Sequence, residues 1–384
     1  MSTERAPEPS VGFAVPHIID ADVEAVARVL RSGWLSTGSE CHGLEADLAE
    51  RVGAPHVIAM SSCTAALEIA VASLRLPPGA RVAVPTWTFV ASASSVVHAG
   101  AVPVLLDVEP DTLNISPDAV EAAIAEGIDA LMVVHFAGTP VDRAVLDLAA
   151  EAGVPVIEDA AHALGASDHR GPISGVGTVG ACLSFYATKN LTSAEGGALI
   201  THDDELAAYA RSQRLHGLSH DAWDRYRVGA NPEYDVREPG LKANLPDVLA
   251  VLARSQLERF DEMQTRRREV VSRYRSAVEQ FPGCTVVPGE ADPGSADHLF
   301  VLLLPEGTDR TEVTAAMTAA GIGTSVHFRP VHTFSWFREH APIGPTGVGT
   351  ADRLAGRALS LPLHAGLTDG EVERVIDALA GALS

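Results

Sequence analysis

The sequence predicts an α/β protein, with a large N-terminal domain on a mostly parallel sheet and a smaller C-terminal α+β domain. Three observations carry this. Short apolar runs alternate with segments of helical period between residues 57 and 158, and runs of that length between helices are strands covered on both faces. Asp107, His135 and Asp159 stand at the ends of such runs, the edge where open α/β sheets bind ligands. A long helical pattern over 246–280 then leads into a shorter set of elements. The domains are read as 1–245 and 246–384.

In order, a helix is expected over 20–31, because Ile19, Val23, Val26, Ala27 and Leu30 share one face. A turn-rich loop, 33–38, and a second helix, 41–52, follow. Strands are read at 57–60, 81–85, 102–106, 130–135 and 155–158, with helices at 90–98, 117–126 and 142–152 between them. A short aromatic strand, 181–186, and another at 198–201 lead to a helix, 203–215. Residues 216–240 are polar and irregular, and a loop that long inside a compact domain is functional or lies at an interface. One long helix is expected over 246–280. The C-terminal domain is read as strands at 285–287, 298–304 and 324–328, with helices at 310–320 and 369–383.

Bulk properties narrow the function. No apolar run reaches the length of a membrane span. The N-terminus is polar and Pro-rich with no apolar signal core, so a cytoplasmic protein is expected. A formal charge of −22 argues against a nucleic-acid partner. Cys41, Cys63, Cys182 and Cys284 are scattered, which fits a reducing compartment and argues against a cysteine metal site. No metal is expected.

Only two of the 28 lysine and arginine residues are lysine, Lys189 and Lys242. Arginine can replace lysine on a surface, but it cannot supply a neutral amine or form a Schiff base. Lys189 follows the aromatic strand and precedes the turn Glu195-Gly196-Gly197, so it is either a surviving surface lysine or a nucleophilic amine at a strand end. Ser62, Cys63 and Thr64 stand where a strand turns into a helix. Such a turn is an ordinary N-cap or, with its free N–H groups and positive dipole end, a phosphate site. Asp159 and His162 are site candidates at a strand edge, or a cap and a core histidine. The run Gly175-Val176-Gly177-Thr178-Val179-Gly180 matches GxGxxG but precedes a strand instead of joining a strand to a helix, so it is read as a turn.

Taken together, the residues from Gly33-Trp34-Leu35-Ser36-Thr37-Gly38 to Leu361-Pro362-Leu363-His364-Ala365-Gly366-Leu367-Thr368 resemble the DegT/StrS-like sugar aminotransferases. The resemblance implies an aspartate-aminotransferase-like fold type I and pyridoxal 5′-phosphate (PLP) as cofactor. By it, Lys189 is the Schiff-base lysine and Asp159 the acid facing the pyridine nitrogen, keeping the ring an electron sink. Trp87 matches the aromatic stacked on the ring, and His162 the position near its phenolic oxygen. Ser62, Cys63, Thr64 and Ser184 match the phosphate cradle. Cys63 departs from a frequent glycine, so Thr64 is the firmer match.

Gly240-Leu241-Lys242-Ala243-Asn244 matches a segment that crosses to the neighbouring subunit's cofactor phosphate. That implies a homodimer with shared sites, to which Lys242 and Asn244 contribute. Members that dehydrate tend to carry histidine at the Schiff-base position, so Lys189 favours transamination over a lyase or a non-catalytic regulator. The segments 189–197, 325–328 and 330–332 resemble members that aminate C4 of nucleotide-linked 4-keto sugars. L-glutamate and a keto-sugar nucleotide, with dTDP as the expected carrier, are the implied partners; 3-keto sugars and keto-cyclitols remain the alternatives. His327 and Arg329 are either sugar-nucleotide contacts or structural.

Overall fold

The computed structural model describes residues 10–219 and 233–384. The segment before residue 10 and the middle of the polar stretch 216–240 therefore lie outside the described residues.

The N-terminal half builds one seven-stranded sheet. Its strands are β1 (His56–Met60), β2 (Arg81–Pro85), β3 (Val102–Leu106), β4 (Ala130–Val134), β5 (Val156–Asp159), β8 (Gly180–Ser184) and β9 (Gly197–Thr201). A small antiparallel pair, β6 (Ser167–Asp168) and β7 (Gly171–Pro172), stands apart between β5 and β8. The order across the sheet is β1-β9-β8-β5-β4-β2-β3. Strand β9 runs antiparallel to both of its neighbours, and the links from β8 through β5, β4 and β2 to β3 are parallel.

Alternation along each strand divides the core. Ile58, Met60, Val82 and Val84 face α3 (Cys63–Ser73), α4 (Val90–His98) and α7 (Asp204–Gln213). On the opposite face, Val57 and Ala59 pack with α2 (Ser39–Val52) and α8 (Asp247–Leu257). Ala83, Val104 and Leu131 pack there with α5 (Pro117–Glu126) and α6 (Arg143–Ala152). Both faces are covered, which is why the strands read as apolar runs. The expected GxGxxG turn is a turn, running straight into β8.

Two expectations are corrected. The pattern over 246–280 is two helices, α8 and α9 (Phe260–Val278), broken at Arg259 with φ −115° and ψ 16°. Helix α8 packs on α1 (Asp20–Ser32) and α2, whereas α9 turns its Val270, Val271 and Tyr274 onto the small sheet. One straight rod would reach about 50 Å and could not serve both faces. Arg259 at the break donates to Asp22 and to the His17 carbonyl, fixing the turn.

The small sheet is β10 (Thr285–Val287), β11 (Phe300–Leu303) and β12 (Ala358–Leu361), all antiparallel. Its third strand is therefore 358–361, not 324–328. Residues 324–328 make a single bridge, Ser325 to Ser360, and then leave toward the large sheet. Helices α10 (Arg310–Ala319) and α13 (Asp369–Ala382) cover this sheet; short α11 (Ser335–His340) and α12 (Gly349–Ala355) lie between them in sequence.

Candidate active site

Strands β5 and β8 are parallel neighbours, paired from Ile157–Gly180 to Asp159–Cys182. Their C-terminal ends therefore deliver Asp159 and the loop after Ser184 to the same edge. A cavity of about 490 Å³ opens there, bordered by Ser62, Cys63, Thr64, Asp159, His162, Ser184, Lys189 and His327. That volume suits a small-molecule site.

The loop carrying Lys189 is clamped from below. Thr192 N–H donates to Gln256 Oε1 at 3.1 Å, and Asn190 Nδ2 donates to the Ala296 carbonyl at 2.7 Å. His298 Nδ1 meets Asn190 Oδ1 at 2.9 Å. Asn190 spends its NH₂ on acceptors, so its oxygen accepts and His298 carries the proton on Nδ1. Held in this way, the Lys189 amine is shielded from bulk water. Burial pulls its pKa down to about 8, against a weaker upward pull from Cys63 and Asp159.

Asp159 is buried and hydrogen-bonded through both oxygens. Its Oδ2 accepts from Ser92 Oγ at 2.7 Å, and its Oδ1 accepts from the Ala161 N–H at 3.1 Å. Burial raises its pKa; the Ser92 hydrogen bond, the Ala161 amide and Lys189 oppose that rise. His162 Nδ1 accepts the Ala137 N–H at 3.3 Å, which leaves the ring's proton on Nε2 as a donor. Burial and Lys189 hold His162 well below the usual histidine range, so it is neutral. His162 and His298 lie 4.3 Å apart between ring centroids. His327 is also pushed down, to about 4, mainly by burial, and its Nδ1 lies 2.9 Å from Ser360 Oγ.

The phosphate end is built from α3. Ser62 is its N-cap, with Oγ accepting the Ala65 N–H at 3.1 Å. Cys63 and Thr64, whose first-turn amides have no helical acceptor, border the cavity. Strand β9 can lie against this turn only because residue 197 is glycine. A Cβ on Gly197 would come within 2.4 Å of Cys63 N.

Two sequence expectations, for Trp87 and for Arg329, are not met at this cavity. Trp87 does not border the cavity: it is 0% exposed, packs in the core with Val108 and Leu113, and donates Nε1–H to the His327 carbonyl at 3.2 Å. Phe89, 58% exposed, is the aromatic of that loop at the cavity. Arg329 is also outside, folded back on Phe334 at 4.9 Å with its Nε donating to Thr333 Oγ1. Lys242 is exposed and donates to Asn244 Oδ1, while Asn244 Nδ2 donates to Thr37 Oγ1; neither residue borders the cavity of its own chain. Sequence reasoning missed Phe89, Ser92 and His298. Phe89 and Trp87 are two apart in one loop, and no local signal ranks them.

The fold and this cavity define a class: a fold type I protein built to hold PLP. A model of the DegT/DnrJ/EryC1/StrS aminotransferase family matches residues 16–380, and the chain belongs to that family. It is 40% identical over 373 residues to the spore coat polysaccharide biosynthesis protein SpsC of Bacillus subtilis strain 168, covering 96% of this chain and 95% of that one. The candidate sugar aminotransferase Spr1654 of Streptococcus pneumoniae, in its PMP form, superposes with a TM-score of 0.88 at 29% identity, over 97% of this chain and 99% of that one. PseC of Helicobacter pylori, an aminotransferase of pseudoaminic acid biosynthesis, gives a TM-score of 0.89 at 25% identity, over 97% and 99%. The chain is thus an aminotransferase, and its cofactor is PLP.

The residues present fit that group. A helix N-terminus with Thr64 and Ser184 beside it suits a phosphate, a buried carboxylate suits a protonated ring nitrogen, and a half-buried amine suits an aldehyde. The Phe89 ring supplies an aromatic face at the same cavity.

Proposed function

We propose that this enzyme moves an amino group from L-glutamate to the C4 keto group of a nucleotide-linked, dTDP-type 4-keto-6-deoxy sugar. The observation that carries the reading is the pairing of Lys189 with Asp159 at adjacent strand ends on one cavity, in a chain of a sugar aminotransferase family. PLP, when bound, supplies an electron sink. Asp159 would hold the ring nitrogen and favour its protonated form. The Lys189 amine, neutral in a useful fraction at a pKa of about 8, would carry a proton between the amino-bearing carbon and C4′ of the cofactor. His162, a neutral donor through Nε2, would hold the ring's phenolic oxygen, and Phe89 would offer the aromatic face expected of Trp87. Thr64, Ser184 and the α3 amides would hold the phosphate. His327 contacts the sugar nucleotide.

The enzyme acts as a cytoplasmic homodimer in which Lys242 and Asn244 reach the partner's cofactor phosphate. The exposure of Lys242, away from its own cavity, supports that part of the reading. The test is a screen of keto-sugar nucleotides with glutamate, read by the mass of the aminated product. Amination of 4-keto substrates is expected. Exclusive turnover of 3-keto sugars or keto-cyclitols overturns the C4 assignment.

A further inference from the structure

Two hydroxyls stand in line behind the Asp159 carboxylate. Ser92, in the first turn of α4, is 0% exposed, and Thr88, just before that helix, is 1% exposed. Ser92 Oγ lies 2.7 Å from Asp159 Oδ2, and Thr88 Oγ1 lies 2.7 Å from Ser92 Oγ. Thr88 borders the active cavity and Ser92 does not, so Ser92 reaches the chemistry through Asp159.

One proton per hydroxyl gives this line a direction. A serine or threonine side chain has a single O–H to donate and lone pairs to accept with. Ser92 has two acceptors in reach, Asp159 Oδ2 at 2.7 Å and the Phe89 carbonyl at 3.3 Å. The nearer one is at the length of a bond to an ionised oxygen. With the Ser92 proton there, the contact between Thr88 and Ser92 is one that Thr88 donates. The chain then runs from Thr88 through Ser92 to Asp159, and each hydroxyl proton has an acceptor. Were Asp159 protonated on Oδ2, the chain would run backwards. Ser92 would donate to Thr88, and the Thr88 proton would have no acceptor among the described residues. A buried donor left without an acceptor is costly, so the line favours the ionised carboxylate. Aligned hydroxyls also polarise one another, which strengthens the bond that reaches Asp159.

The other groups around Asp159 do not replace this support. Burial works against its charge, and Lys189 and His135 favour the charge less than the Ser92 bond does. The Cys63 thiol is 3.9 Å from Asp159 Oδ1 but 3.3 Å from the Cys182 carbonyl, the closer acceptor. Burial holds both thiols, Cys63 and Cys182, well above the usual range, so neither adds a charge.

We propose that Ser92 is a positioning residue for the amino transfer, with Thr88 as its second link, and that the two hold Asp159 as a carboxylate toward the cofactor ring. This rests on the assignment of Asp159 to the ring nitrogen made above. It adds that the assignment depends on two hydroxyls that do no chemistry themselves.

The first test uses the apoprotein, labelled with ¹³C at its aspartate carboxyls, where the Asp159 signal is the one missing from Asp159→Asn. In Ser92→Ala the titration midpoint of that signal should rise by about 1–2 pH units, the worth of one hydrogen bond to a charged group. Thr88→Val should move it the same way by less, and Ser92→Thr, which keeps the hydroxyl, should return it to the wild-type value. Unchanged midpoints in Ser92→Ala and Thr88→Val overturn the proposal. Should Ser92→Ala not fold, the near-isosteric Thr88→Val decides alone. The second test loads the enzyme with PLP carrying ¹⁵N in its ring. The nitrogen signal of Ser92→Ala should move from the protonated wild-type position toward that of Asp159→Asn. A signal that Asp159→Asn leaves in place overturns the assignment of Asp159. A signal that Asp159→Asn moves and Ser92→Ala does not overturns the role of Ser92.

Discussion

The inner wall of the active cavity and its mouth are built by different rules. On the inner wall, Asp159, His162 and the Lys189 loop are each held by hydrogen bonds inside the chain, from Ser92, Ala137, Gln256 and the Ala296 carbonyl. At the mouth, Phe89 and Tyr186 are 58% and 47% exposed, and Glu195 is exposed as well. A wall of low dielectric with satisfied partners shifts pKa values and fixes geometry. An exposed rim does neither, and leaves room for substrate or a second subunit. Changes at the wall should therefore abolish chemistry, and changes at the mouth should tune binding.

The largest effect is expected at Lys189. Lys189→Ala should lose both turnover and the visible absorbance of lysine-bound PLP, and Lys189→Arg should do no better although it keeps the charge. Normal turnover in either variant would contradict the assignment. Asp159→Asn comes next. It should retain PLP but slow transamination by about 3–4 kcal/mol of transition-state stabilisation, roughly 10²–10³-fold. A rate within a few-fold of wild type would mean that another group protonates the ring.

Lys242 tests whether the mouth is shared. Lys242→Ala should weaken PLP retention roughly 10- to 100-fold, the worth of a charge-assisted hydrogen bond, while lysine-bound absorbance still forms at saturating PLP. Once subunit exchange has been demonstrated, mixing inactive Lys189→Ala with Lys242→Ala chains should restore part of the activity. Exchanged hybrids that recover nothing, while both parents stay folded, would rule out the shared site.

Proton linkage gives a smaller, wall-specific effect. With Lys189 at about 8, the neutral fraction rises roughly tenfold from pH 7 to pH 9, and the rate of PLP loading onto the apoprotein should follow it. The unfolded chain holds this proton up to the ordinary lysine value of 10.5 and the folded chain only to about 8. This group's contribution to apoprotein stability therefore rises with pH across that window. A loading rate that is flat from pH 7 to 9 would place the amine outside this environment.

The smallest effect separates two aromatics of one loop. Phe89→Ala should weaken PLP binding roughly 3- to 10-fold through lost stacking, with little change in Tm. Trp87→Phe should do the reverse: a lower Tm from lost packing and the lost bond to the His327 carbonyl, and PLP affinity within about twofold. PLP titration and thermal unfolding of both variants decide between them.

Local signals were enough for much of this molecule. Alternating strands and helices, each a few residues long, carry their own period, so the parallel sheet and most of its helices were readable in place. Lys189 was readable for a chemical reason: arginine cannot do what a neutral amine does, and this chain has almost no other lysine. Asp159 followed from its place at a strand end. What the chain alone could not decide were the long-range choices. Helical period continues smoothly across Arg259, and only the two separate surfaces on which α8 and α9 pack break it there. Residues 324–328 read as strand, yet it is 358–361 that pairs with Phe300–Leu303. Trp87 and Phe89 share one loop, and the core around Val108 and Leu113 took the first and left the second to the cavity. In each case the local signal did not decide the outcome, and burial against a partner distant in the chain did.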